Sequence, residues 1–383
     1  MILVAAKSVI AQAIPRASVE DKVLGWIKIY NFQATKETLK IDDKFYSAAQ
    51  LSIAGTFGNW IQASYTPKGG LGNVRKFVSE KLGPYNQHTA GKPQSYGINA
   101  KTYLELKYDG TGKIVPLTND HVWWSISANG VPGDWGIRDI STSMQYYFTL
   151  PTAETEIEEE KEKKLLDLTK EVNIKSYISF WVKNLGFGGG AEHVLLSKDN
   201  KSPFIKITKG EYLQALETAL PRHYEAEKKK IYKAEQGVPE KMAVWIKLLD
   251  EKFERFRSGL RKHREKYKNR LGEPALTSKQ PSLIDLDNNT NVFSNGYLTD
   301  PESISGRLPI YKIDPVMAEL CKKDEPQWIL ISWEYPGQAI ERQQHEAIIN
   351  NFNFEYAYNF FFDPEKVKGQ PYKPLRSPPA KTQ

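Results

Sequence analysis

The residues with which this chain could do chemistry are few. Its 383 residues contain six histidines and one cysteine. The histidines, at 88, 121, 193, 223, 263 and 345, include no pair spaced by two or four. There is no H-E-x-x-H, and one thiol cannot build a thiolate site, so no metal site is expected. "DLDNNTN" (285–291) resembles the start of a calcium loop. It has Thr290 where that loop needs its sixth-position Gly, and Gly296 where the twelfth-position Glu belongs. No G-x-S-x-G elbow occurs. Carboxylates that hydrolyse glycosides converge from distant positions and leave no local signature. Glu334, at the end of "QWILISWEY", is the acid placed best to act. His193 and His345 are the histidines that could join it at the junction of two domains.

"NLGFGGGAEHVLL" (184–196) has the G-x-G-x-x-A form of a dinucleotide loop in Gly186, Gly188 and Ala191. That fingerprint works only when the loop opens a helix whose N-terminus faces the pyrophosphate. Here "AEHVLLS" reads as a second strand, so the glycines are expected to turn a corner between strands, and no cofactor is expected. Cys321 follows "DPVMAEL" on a short helix and reads as a packed thiol.

Two features point to binding. In "HVWWSISAN" (121–129), Val122, Trp124, Ile126 and Ala128 share one face of a strand. His121, Trp123, Ser125, Ser127 and Asn129 share the other. Trp124 should therefore be core and Trp123 partly exposed. Trp135, in "GVPGDWGIRD", lies close in sequence with Asp134 and Arg138. Flat rings beside polar groups suit a carbohydrate or peptide ligand. The second feature is charge. Residues 222–270 carry sixteen Lys and Arg against eight Asp and Glu, a net +8 in a chain of net +7. Lys228, Lys229, Arg261 and Arg264 are the candidates to meet an anionic polymer or acidic protein. Acids interleave throughout, which argues against a nucleic-acid track.

The elements that must position these residues read as a multi-domain chain. Residues 1–19 form a signal peptide or N-terminal extension, with Ala11-Gln12-Ala13 as an A-x-A pattern. Residues 20–150 are expected to be a mainly-β sandwich. Its strands include "YSAAQLSIAGTF" (46–57), "NWIQASYT" (59–66) and a hairpin turning at Asp109-Gly110. One helix is expected at "GNVRKFVSEKLG" (72–83). Residues 151–383 are expected to be an α+β domain that opens on a charged helix after Pro151. A long antiparallel helical hairpin follows at 208–271, with Met242, Trp245, Leu249, Phe253, Phe256 and Leu260 as its apolar seam. Pro221 should kink its first arm. "NFNFEYAYNFFF" has a strand's period, although a helix fits as well. The tail 372–383 should be extended. No apolar run approaches the ~20 residues that span a bilayer.

These observations together lead to a secreted or envelope-associated, non-catalytic binding protein. Its β domain would hold a carbohydrate or peptide, and its basic hairpin an anionic partner. The alternatives are a hydrolase acting through Glu334, His193 and His345, and a structural subunit whose apolar faces another chain covers.

Overall fold

The computed structural model describes residues 13–27, 39–41, 44–78, 92–131, 145–150, 168–182, 190–277, 308–334, 337 and 339–378. At its centre is a six-stranded, wholly antiparallel sheet. After a small ladder of β1 (Leu39–Ile41) and β2 (Lys44–Tyr46), the chain supplies β3 (Leu71–Val78) and β4 (Tyr96–Tyr103). A short hairpin of β5 (Leu106–Tyr108) and β6 (Ile114–Pro116) leads to β7 (His121–Ala128). β8 (Tyr147–Thr149), β9 (Ile178–Val182), β10 (Ala191–Ser197), β11 (Phe204–Lys206), β12 (Leu276–Thr277), β13 (Leu308–Ile313) and β14 (Trp328–Glu334) follow. The large sheet has the order β3-β4-β7-β14-β10-β9, and β13 pairs with β8, β11 and β12 in a smaller one.

Mixed helices and antiparallel sheets are thus present, but the expected sandwich is replaced by a different arrangement. Strands from before residue 150 supply half of the large sheet. β14, from near the C-terminus, lies hydrogen-bonded between β7 and β10. The boundary expected at 150 therefore falls within one sheet. The face that a second sheet would have covered is packed by helices instead. They are α1 (Ala48–Ser64), α5 (Ala339–Asn351) and α6 (Phe354–Phe362), counted after α2 (Lys209–Ala234), α3 (Pro239–Lys266) and α4 (Pro315–Leu320).

α1 occupies the stretch expected to be two strands. Ser47 caps it: its hydroxyl accepts from the Gln50 amide, and the Gln50 side chain accepts from the Ser47 amide. That reciprocal bonding satisfies orphan donors at the helix start and overrides the strand preference of the apolar residues. Conversely, the helix expected from residue 72 is strand β3, paired with β4 over its whole length. Val74 is buried on one face, whereas Asn73 and Arg75 point to the other. The aromatic run becomes helix α6, capped by Asn353 accepting from the Tyr356 amide at 2.9 Å. Its rings close around Trp60, 5.3 Å from Phe360 and 6.0 Å from Phe361 between centroids. Tyr372 stacks on Trp60 at 5.3 Å and shares a 2.6 Å hydrogen bond with Ser64. Residues 373–378 form no helix or strand, and Tyr372 anchors them to the core.

The turn at Asp109 forms as the sequence suggests, its carboxylate accepting from the Thr111 and Lys113 amides. The helical hairpin is also present: α2 and α3 of 26 and 28 residues joined by a four-residue link. Pro221 does not end α2, which runs through it. The expected seam holds from Leu249 onward. Leu249, Phe253, Phe256 and Leu260 are buried against Leu213, Leu216 and Leu220, while Trp245 is 50% exposed. The charged helix after Pro151, the glycine loop through residue 189 and the "DLDNNTN" run lie outside the described residues, as do residues 1–12.

Gly97 shows how closely the sheet is fitted. A β-carbon there would lie 2.1 Å from the Ile126 carbonyl oxygen. Gly97→Ala is therefore expected to lower the denaturation midpoint clearly in chemical unfolding. Phe352, wholly buried between Trp124 and Trp60, should cost ~3–5 kcal/mol on truncation to Ala. Phe45→Ala, at a ring 60% exposed, should leave the midpoint nearly unchanged.

Candidate functional site

The ladder registers align residues of successive strands into rows across the sheet. On the face away from α1, α5 and α6, one row runs Asn73, Lys101, Trp123. Glu334 continues it, accepting from the Trp123 amide at 3.3 Å. The next row runs Arg75, Asn99, Ser125, Ser332, His193. Together they form a polar strip between two apolar clusters. On one side Leu71 and Tyr103 pack with Ile14, Val19 and Leu106. On the other, Leu195, Leu330 and Trp328 pack with Phe148, Phe204 and Cys321. Alternation produces this division, because each strand sends successive side chains to opposite faces. Trp124 is wholly buried under the helices, and Trp123 is half-buried on the strip.

The strip holds polar atoms with unused hydrogen-bonding capacity. His193 Nδ1 and Ser332 Oγ lie 2.7 Å apart, but His193 Nε2 is buried and has no hydrogen-bond partner among the described residues. Asn99 Oδ1, two strands beyond Ser332 in the same row, is in the same state. An unmet buried polar atom costs ~1–3 kcal/mol. Burial pushes the His193 pKa down to about 4, which keeps the ring neutral near pH 7. Glu334 moves the other way. Burial, then the charges of Glu341 and Asp120, raise it to about 7, against a lowering by the Trp123 amide.

Glu334, His193 and His345 do not converge on one centre. His345, on α5, lies on the opposite face of the sheet from His193. There its Nδ1 is 2.6 Å from Glu192 Oε2, and the indole Nε1 of Trp333 donates to the same oxygen. Glu192 is wholly buried, and burial lifts its pKa above the usual carboxylate range, opposed by its bonds to His345 and Trp333. Sequence reasoning missed this trio. Its signal is an acid inside a strand whose seven residues are all buried. Such an acid must be neutral or paired. With side-chain exposures of 0% and 10%, Glu192 and His345 act as a polar tie between sheet and helix that a substrate does not reach.

The other expected residues divide similarly. Trp135, Asp134 and Arg138 lie outside the described residues. Lys229 and Arg261 are exposed, and Lys228 sits 5.4 Å from the Tyr224 ring centre. Arg264 is engaged differently from the expectation. Its guanidinium forks onto Glu217 at 3.1 and 2.8 Å, which staples α3 to α2. Cys321 is wholly buried, and its thiol pKa is raised by that burial. A cleft of about 530 Å³ lies between Tyr177, Asn200, Phe354 and Tyr358. Asn200 donates to the Ser176 carbonyl, and Tyr358 accepts from the Asp199 amide, so its polar groups already hold the loops together. Among the described residues no cluster of three or more His, Cys, Asp or Glu could hold a metal ion.

Comparison of the chain with known families, curated proteins and solved structures gave no match.

The two shifted groups give opposite pH slopes. For Glu334, raised from 4.5 to about 7, the folded state keeps a proton that the unfolded chain releases. Its contribution to stability therefore falls as pH rises through that window. For His193, lowered from 6.5 to about 4, the unfolded chain takes the proton first. Stability is lost as pH falls from 6.5 toward 4. Relative to wild type, Glu334→Gln should gain stability on going from pH 4.5 to 7, and His193→Asn on going from 6.5 to 4. Urea titrations at four pH values check both signs.

Proposed function

We propose that this is a non-catalytic binding protein whose ligand is rich in hydroxyl or amide groups, a carbohydrate or an extended peptide, held on the polar strip. The observation that carries this reading is the polar row of half-buried Asn99 and Ser125 beside a half-buried Trp123, with the buried His193 and Ser332 continuing it as a floor. A sugar offers such a site a flat apolar face for the indole and hydroxyls for the amide and the Ser125 hydroxyl. Lys101 and Glu334, on either side of Trp123 in its row, would fix orientation. Trp135, Asp134 and Arg138 remain proposed contributors because they follow β7 closely in sequence. The basic hairpin is the second module and meets an anionic partner. A secreted or envelope location would suit both roles.

A second reading rests on Glu334 alone. A carboxyl with its pKa raised to about 7 suits a general acid in a hydrolase. Such an acid needs a base or nucleophile within reach. The titratable pair that is within hydrogen-bond reach here, Glu192 with His345, lies enclosed on the other face.

Binding of a soluble oligosaccharide panel by array and calorimetry tests the first reading. For any sugar bound, Trp123→Ala and Asn99→Ala should each weaken affinity by about tenfold, roughly 1.4 kcal/mol. The wild-type protein should leave the bound sugar intact at every pH. Wild-type affinity in both substituted proteins would remove the strip from the account, and bond cleavage abolished by Glu334→Gln would establish the hydrolase.

A further inference from the structure

We infer that α3 is a membrane-contact helix that docks the protein on an anionic lipid surface through one face. Positions 241, 245, 248, 252, 255, 259, 262 and 266 follow one another in steps of four and three, which places them on one stripe of an α-helix. They read Lys, Trp, Leu, Lys, Arg, Gly, Lys, Lys. The stripe flanks the buried seam of Leu249, Phe253, Phe256 and Leu260 and so lies on a broad side of the hairpin. None of the helix's five acids falls on it. Of these, Asp250 accepts from the Tyr224 hydroxyl at 2.6 Å, and Glu254 binds Arg257 at 2.6 Å.

The second observation is where the apolar residues sit. Trp245 and Leu248, with the adjoining Val244, are 50%, 47% and 58% exposed. They cluster within three turns of the tip, where Val238 is 41% exposed. Core-forming residues of this size normally pack. Here they protrude at the far end of an arm whose base is buried in the protein. Lys241 lies one turn before Trp245, and Arg255 and Lys262 follow along the stripe. Nucleic acid would be served by the cations alone and has no use for an aliphatic patch. An acidic protein would need a matching apolar surface. A bilayer interface supplies both requirements at once, since indole and leucyl groups enter the headgroup boundary while lysines meet anionic lipid. The helix is too polar to span the membrane, and among the described residues no helix is long and apolar enough to do so. Contact is therefore peripheral.

This inference depends on the hairpin being the anion-facing module and is independent of any ligand on the strip. The test is co-sedimentation of the full chain with vesicles of pure phosphatidylcholine and of phosphatidylcholine with a quarter phosphatidylglycerol, read alongside the tryptophan emission maximum. The expected results are binding to the anionic vesicles only, a blue shift on binding, and weakening as salt rises. Trp245→Ser with Leu248→Ser should weaken binding by about tenfold or more and remove most of the blue shift. Lys241→Glu with Lys262→Glu should weaken it comparably and flatten the salt dependence. All these positions are exposed, so circular dichroism should remain that of wild type. Heparin serves as a soluble polyanion control. Retention on heparin without vesicle binding would overturn the membrane assignment and leave the anion-facing reading standing. Binding to neither would remove both. Vesicle binding unchanged in the Trp245, Leu248 pair would also overturn the inference.

Discussion

The insertion of β14 between β7 and β10 is the constraint on which the rest of the structure depends. Its backbone completes two antiparallel ladders, one with β7, some two hundred residues earlier in the chain, and one with β10, roughly 140 residues earlier. Its side chains divide cleanly. Ile329, Ile331 and Trp333 enter the core beneath the helices, while Trp328 and Leu330 enter the one shared with the smaller sheet. Burial on both faces explains the nearly continuous apolar reading of this strand. Ser332 and Glu334 are its departures from that pattern, and both lie on the polar strip.

The same division organises the chemistry. Glu192 and His193 are neighbours in sequence, yet alternation sends them to opposite faces and opposite fates. Glu192 joins His345 and Trp333 in a closed network under α5, where an acid deprived of water is tolerable because two donors reach one of its oxygens. His193 goes to the strip, beside Ser332, and remains neutral. The burial that makes the first group a structural tie also makes the second a poor base near neutral pH. The proposed binding role starts from this division of the two faces.

Legibility in the sequence followed the physics of each segment. β14 and the hairpin at Asp109 were readable because pattern and turn chemistry agree. The helical hairpin was readable for the same reason, its spacing being sustained over several turns. α1 was not, although the Ser47–Gln50 capping box was there to be read; Ile53, Phe57, Trp60 and Ile61 outweighed it. β3 misled in the opposite sense, because Val74, Phe77 and Val78 also fit a helical face. Trp123 and Trp124 were assigned to their faces by alternation alone. The partners of Glu192 could not be read, since they come from α5 and β14, far along the chain. Nor could the row that unites Asn99, Ser125, Ser332 and His193, which exists only once the register of four strands is set. Trp245 was misplaced because a three-residue step and a four-residue step from Met242 are both helical; Ile246 is the less exposed of the two.

Ser125 and Ser332 face each other in register across β7 and β14. Opposed residues in an antiparallel pair have Cα atoms ~4.5–5.5 Å apart, within the range a disulfide requires. The Ser125→Cys, Ser332→Cys double variant, oxidised mildly while folded, therefore tests the sheet most directly. An intramolecular cross-link mapped by peptide mass spectrometry is the result expected. Thiols that stay free, or that link only between molecules, would show that β14 does not lie beside β7, and the polar strip would have no floor.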